Sequence, residues 1–266
     1  MSSEPTGVHD RPDQQSTPGE KPSFIEIVRG FGVMIGPSLF LGLFAVAGTF
    51  ALVSGWILWS REGLARLLRP LAILGAALPW VYAFVIRPWH LKWGATDEEI
   101  GKPLPGDELV SSSAIESTRA ITVNAPVEEV WPWLAQIGQD RGGFYSYEWL
   151  ENLAGCRMRN ADRIHPEWQH REVGERVFLH PAFALKVAAF EPNRAIVLEG
   201  WGPFVVQPID EKSTRVLLRS RVPHGWGVLY YLLTLEIPHF IMERRMLLGI
   251  KERAERAEDT QTMAQS

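Results

Sequence analysis

The chain of 266 residues carries a single cysteine, Cys156. No disulfide can close within it, and its cysteine usage calls for no oxidising compartment. It also lacks a surplus of positive charge: 27 Lys and Arg stand against 31 Asp and Glu, a formal net charge of −4. That balance leaves no electrostatic footprint for nucleic acid, and no nucleic-acid partner is expected. No glycine-rich phosphate loop with its lysine is present, and no cofactor is implied. A further absence is local. Between Gly30 and Ser60 there is no charged residue at all.

That run exceeds the ~20 residues an α-helix needs to cross a bilayer. A second apolar run, "PLAILGAALPWVYAFVI", lies between Arg69 and Arg87 and reaches the same length with its flanks. Trp56 and Trp59 close the first run, and Trp89 and Trp93 follow the second, where interfacial anchors belong. Residues 33–59 and about 67–90 are therefore expected as the two spans of a transmembrane hairpin within 31–90. The polar lead is too long for a signal peptide, and the apolar stretch continues past "AVA" at 45–47. Arg61, Arg66 and Arg69 lie between the spans; Lys21, Arg29, Arg87, Lys92 and Lys102 lie outside them. Counted by the positive-inside rule, this favours a two-pass cell-membrane protein with its soluble domain in the cytoplasm. "GVMIG" (32–36) matches small-xxx-small but is weak by itself.

Residues 1–22, rich in Ser, Pro, Gly and acids, read as a disordered tail. Residues 94–113, acidic with Pro and Gly, read as a solvated linker. From 114 to 258 the pattern is α+β. "STRAITV" has strand character, and "APVEEVWPWLAQIG" opens a helix with Pro126 at its start. Val127, Val130, Leu134 and Ile137 form one apolar face of that helix. "ERVFLH", "ALKVAAF", "AIVLEGW", "PFVVQPI" and "TRVLLRSRV" read as short strands separated by turns. A long helix follows from about Pro238.

"TRAITVNAPVEEVWPWLAQIGQDRGGFYSYEWLENLAG", "NADRIHPEWQ" and "MERRMLLGIK" resemble the SRPBCC superfamily, the START-related and polyketide-cyclase-like domains, from about Trp93 to Arg253. The resemblance implies a helix-grip fold: a curved antiparallel sheet around a long C-terminal helix, enclosing a cavity for an apolar ligand. It implies no reaction, since the superfamily includes lipid carriers, hormone receptors and cyclases.

Strand parity then nominates the residues facing such a ligand. Lys186, Glu199, Arg215, Arg219 and Arg221 are expected to face solvent. The opposite face then holds Val177 and Leu179, Leu185, Val187 and Ala189, Ile196 and Leu198, Phe204 and Val206, then Val216, Leu218 and Ser220. Phe240 and Leu247, in one helical stripe with Ile250 and Ala254, complete the ligand-binding set. This face holds no ionisable side chain, and an interior of that kind binds without obviously catalysing. A β-bulge would flip the parity downstream of it.

Other constellations carry less. "QDRGGFYSYEWLENLAG" (139–155) reads as a glycine turn into a short helix starting at Ser146, with Tyr145, Tyr147 and Trp149 as alternative contacts at a cavity mouth. His165, His170 and His180 have the wrong spacing for a metal site. Arg157 and Arg159 beside Cys156 would favour a thiolate, but no base accompanies it. The Arg244, Arg245, Lys251, Arg253 and Arg256 cluster, interleaved with Glu243, Glu252, Glu255 and Glu258, reads as a solvated helix face. Asp162, His180 and His224 are the remaining acid–base candidates, and no catalytic residue is assigned. "GWGVLYYLLTLEI" (225–237) is expected to pack on the sheet or to form a lid touching lipid.

The composite expectation is a membrane-anchored domain that binds or transfers a hydrophobic small molecule or lipid. The alternatives are a cyclase- or dehydratase-type enzyme acting in the same cavity and an interaction domain whose cavity is vestigial.

Overall fold

The computed structural model describes residues 48–49, 52, 73–75, 77–110 and 112–265, with backbone alone from 257 onward. The tail at 1–22, nearly all of the first expected span and the beginning of the second lie outside the described residues. Among the described residues no helix is long and apolar enough to cross a membrane. Helical backbone runs through 77–91, with a π-helical turn at Tyr82–Ile86 leading into α1, Arg87–Leu91.

The domain is built on six antiparallel strands: β1 (Ser113–Val123), β2 (Arg176–His180), β3 (Phe183–Glu191), β4 (Ala195–Leu198), β5 (Gly202–Asp210) and β6 (Ser213–Pro223). Their order in the sheet is β1-β6-β5-β4-β3-β2. Every strand but β1 pairs with its neighbour in sequence, as short turns between strands require; β1 closes onto β6 along its whole length. The α+β architecture, a six-stranded antiparallel sheet with a long C-terminal helix, is the one helix-grip predicts.

Two connecting helices, α2 (Asp97–Gly101) and α3 (Val127–Ala135), flank β1, and α4 is Glu148–Leu153. The last helix begins earlier than its sequence suggests. Helical backbone runs unbroken from α5 (Gly227–Tyr230) through a π-helical turn (Tyr231–Leu235) into α6 (Glu236–Gln265). Pro238 lies about three turns inside this run rather than opening it, where it removes one N–H from the helical ladder just after the π-helical turn.

One face of the sheet, α3 and α6 enclose the core. Val130 and Leu134 from α3 and Ile137 just after it meet Ile196, Leu198, Phe204, Val216 and Leu218 from the sheet and Leu247, Ile250 and Ala254 from α6, all essentially without solvent contact. Strand parity fails at one strand. The β3–β4 pairing shifts between Val187 and Ala189, so Ala189 pairs with Val197 on the outer face. Phe190, paired with Ile196, packs against the core instead. One extra residue in a strand reverses every later side chain.

The opposite face is not solvated over β1, β6, β5 and β4, although Lys186 of β3 is exposed as expected. Of the segment 94–113 expected as a solvated linker, residues 94–110 lie across it as a strap. Leu104 packs with Ala120, Ala195, Val205 and Leu217 in a second apolar cluster. The α2 helix is fixed by a capping box between Thr96 and Glu99. Arg219, expected in solvent, is fully buried and donates to the carbonyls of Glu99, Ile100 and Lys102 and to the Asp107 carboxylate at 2.6 Å. Arg215 donates to both carboxylate oxygens of Glu99, and Arg221 to Glu116. A guanidinium can be buried when its donors are all received, and the strap's carbonyls receive them.

Candidate functional site

The glycine turn at 138–143 is held by its own backbone. Gly138 and Gly143 exchange two N–H···O bonds of 2.9 and 2.8 Å, and Gly142 donates to the Gln136 carbonyl. Tyr145, at a positive φ of 55°, is buried and donates its hydroxyl to the Trp133 carbonyl. Its backbone N–H donates to Asn160 Oδ1. Opposite it, a Cβ added to Gly249 of α6 would meet the Tyr145 carbonyl oxygen at 2.2 Å. The glycines and the tyrosine let the last helix approach the turn. Tyr147 lies beneath the Arg245 guanidinium, and Trp149 is exposed.

A different set of residues converges at the head of α6. The stripe that carries Leu247, Ile250 and Ala254 into the core carries Glu243, His239 and Glu236 along the same line nearer its start, at spacings of three and four. Facing them from the sheet are Arg119 of β1, Ser220 of β6 and Trp201 of the β4–β5 turn. Glu243 is 1% exposed. Its Oε1 accepts from Trp201 Nε1 at 2.6 Å and Ser220 Oγ at 3.0 Å, and lies 2.7 Å from His239 Nε2. Its Oε2 meets Arg119 Nη1 in an ion pair. One carboxylate thus accepts hydrogen bonds from Trp201 and Ser220 and lies against the basic groups of His239 and Arg119.

His239 Nδ1 is 3.0 Å from the Tyr231 hydroxyl. With Nε2 turned to a carboxylate, the ring proton belongs on Nε2, and Nδ1 accepts from Tyr231. Burial, and then the neighbouring Arg119 guanidinium, push the imidazole below its ordinary range. Both effects favour the neutral ring, while the Glu243 carboxylate 2.7 Å away opposes them. The outcome is a carboxylate–imidazole–phenol chain, in which Glu243 orients His239 and His239 holds the Tyr231 proton. Such a chain is able to move a proton.

Arg119 is fully buried; its Nε donates to the His90 carbonyl at 3.0 Å, and its guanidinium lies 5.3 Å from the Phe240 ring centroid. Burial lowers it to about 10, so it stays cationic at pH 7. A second buried carboxylate, Glu236, adjoins the first group. It receives Arg87 Nε at 2.8 Å and the Tyr82 hydroxyl at 3.0 Å, and His90 Nε2 lies 3.3 Å away. Burial raises the Glu236 carboxyl, but the His90 and Arg87 hydrogen bonds outweigh it and hold it below the carboxylate range. Glu236 thereby fastens the end of the 77–91 helix to the head of α6.

Of the residues nominated from sequence, Val177, Val187, Ile196, Leu198, Phe204, Val206, Leu218 and Leu247 lie together in the core, with Leu179 and Leu185 half-buried against it. Phe240 does not join them. It packs on Trp89 and His90, with ring centroids 5.5 and 5.1 Å away. The expectation of an inner face without ionisable groups is corrected by Arg119 and by the Glu243 and His239 side chains that meet it. The signal was present in two places: β1 alternation puts Arg119 on the side of Ile121 and Val123, and His239 and Glu243 stand four apart on one helix.

Asp162 and His224 are exposed, and His180 accepts from the Ala182 N–H, so the three former acid–base candidates are not gathered. His165 stacks on Trp168, and His170 packs edge-on to Phe190. Burial, with Glu151 adding to it, pushes the Cys156 thiol up to about 12, which overrides any help from Arg157 and Arg159. The basic cluster on α6 is only partly a solvated face. Arg245 pairs with Glu252 in solvent, whereas Arg253 donates to the Ala161 carbonyl and lies 4.7 Å from the Tyr145 ring.

No family model matches the chain, and no curated protein matches it. Among solved structures, the solution NMR structure of a polyketide-cyclase-like protein from Corynebacterium glutamicum is similar over 51% of this chain and 88% of its own, at 18% identity and a TM-score of 0.29. The fold assignment therefore stands on the sheet order and the last helix themselves.

Proposed function

We propose that this protein is a membrane-held binding or transfer domain for a hydrophobic small molecule or lipid, two-pass, with the domain on the cytoplasmic side. The observation that carries the reading is an adjacency at the head of α6. There the apolar interior, the polar group around Glu243, and the exposed apolar side chains of 77–91 and 226–241 come together. A mostly apolar site with a few convergent polar groups suits an apolar ligand with one polar end. The charge-free stretch Gly30–Ser60 supports the membrane part of the reading.

Full-length protein is expected in the membrane fraction and resistant to carbonate. Purified in detergent, it is expected to retain a defined apolar species detectable by mass spectrometry. Carbonate extraction would remove the membrane part of the reading; recovery of no such species, with no uptake of a fluorescent acyl probe, would remove the ligand part.

The Glu243–His239–Tyr231 chain favours one second reading, an enzyme of the cyclase or dehydratase type using His239 to take or return a proton. His239→Phe separates the two readings. A binding domain keeps its ligand without any reaction to lose, whereas an enzyme keeps its ligand and loses turnover.

A further inference from the structure

The opening of the last helix is unlike the rest of the domain surface. Trp226 is 94% exposed, and Leu229, Tyr230, Leu232, Leu233 and Ile241 are exposed with it. Between 225 and 242 the one charged residue is Glu236, and it is buried. Beside this segment the 77–91 helix exposes Trp80, Phe84, Val85 and Trp89, and carries only Arg87 and His90 as ionisable basic groups. The two segments are joined, since Tyr82 and Arg87 bond Glu236 and Trp89 packs on Phe240. Together they present on the order of 1,000 Å² of apolar surface, well above the roughly 300–600 Å² of a typical soluble monomer's largest patch.

The start of the last helical run, 227–230, stays close to the end of β6, and the nine residues 227–235 rise ~14 Å, too short to cross a ~30 Å hydrocarbon core.

We infer that residues 227–235 are immersed in one leaflet of the bilayer, with Trp226 and Tyr230 at the interface and Leu229, Leu232 and Leu233 toward the acyl chains. The domain is thus a second membrane contact, made by the helix its sheet grips and additional to the apolar segments before it. The occupant of this surface is phospholipid, because the surface continues the face of a segment whose own sequence is bilayer-like and it exposes no carboxylate. The inference rests on the membrane part of the proposed function.

The test uses the full chain in phosphatidylcholine–phosphatidylglycerol vesicles, in a Cys156→Ser background, with an environment-sensitive fluorophore attached at Trp226→Cys, Trp80→Cys or Lys212→Cys. Nitroxide-labelled acyl chains are expected to quench the probes at 226 and 80 several-fold more than the probe at 212, in an exposed turn. A probe at 226 as unquenched as that at 212, with 80 quenched, overturns the immersion of 227–235 alone. An unquenched probe at 80 as well overturns the membrane reading with it. A probe at 226 shielded from aqueous iodide but untouched by lipid nitroxide, with cross-links between two 226 positions, assigns the surface to a second copy of the chain and overturns the inference.

Discussion

Arg119 of β1 and Glu243 of α6 form an ion pair in the interior, with 0% and 1% of their side chains exposed. The pair ties the edge strand of the sheet to the helix it grips. Neither charge would be tolerated there alone, since an unpaired ion in a poorly solvated interior is costly.

Removing one member of this pair should therefore cost more than removing both. Glu243→Gln is expected to destabilise the domain by about 3–5 kcal/mol, with Arg119→Met plus Glu243→Leu recovering part of that loss. A urea-unfolding double-mutant cycle measures the coupling. Equal losses in the single and double variants would show that Arg119 does not depend on Glu243.

Glu151 predicts a pH dependence. Burial pushes its carboxyl from 4.5 up to about 7, with the Ser146 hydroxyl opposing and Glu148 reinforcing the rise. Between those values the folded protein holds a proton that the unfolded chain has released. Stability from this group is present in full below about 4.5, falls as pH rises to about 7, and is level above it. The loss is at most roughly 3 kcal/mol. Glu151→Gln should remove that part of the slope, read as the difference between the unfolding-versus-pH curves of variant and parent.

Gly249→Ala sets two effects against each other. Alanine improves helix propensity by about 1 kcal/mol. Its Cβ, however, would lie 2.2 Å from the Tyr145 carbonyl oxygen, a backbone atom with no rotamer to change. The clash should win, leaving the domain about 1–3 kcal/mol less stable. Gly101→Ala is the control, because a Cβ there meets nothing within 4 Å. It is expected to leave the thermal midpoint unchanged or raised.

Leu198→Asp tests the core register. Leu198 is fully buried, and it pairs with Val187 on one side and Gly202 on the other. A carboxylate there has no donor facing it, so the domain should unfold or lose any bound apolar ligand. A variant that keeps both its unfolding midpoint and its ligand would place Leu198 on the wrong face.

Much of the scaffold was written locally. Alternation in β4, β5 and β6 identified Leu198, Val206 and Leu218 as inward, and the spacing of Leu247, Ile250 and Ala254 identified the stripe of α6. Periodicity is a property of neighbours in sequence, so no tertiary information is needed to read it. β3 was misread past Val187 because a bulge is decided by pairing with β4 rather than by β3 itself.

The sequence alone thus determined the α+β order, the inward faces of most strands and the amphipathic last helix. Tertiary structure alone decided which charges are buried. Arg219 looked solvent-facing until residues 94–110 crossed the sheet and received its donors. Arg119 and Glu243 are 124 residues apart in the chain, and nothing local marks either as the other's partner. The fate of 225–237 was likewise undecided in its composition, since an apolar run does not specify what covers it. Among the described residues its outer side chains are left uncovered. Local patterns arise from the geometry of a few consecutive residues, whereas charge burial and exposure depend on what the rest of the chain brings near.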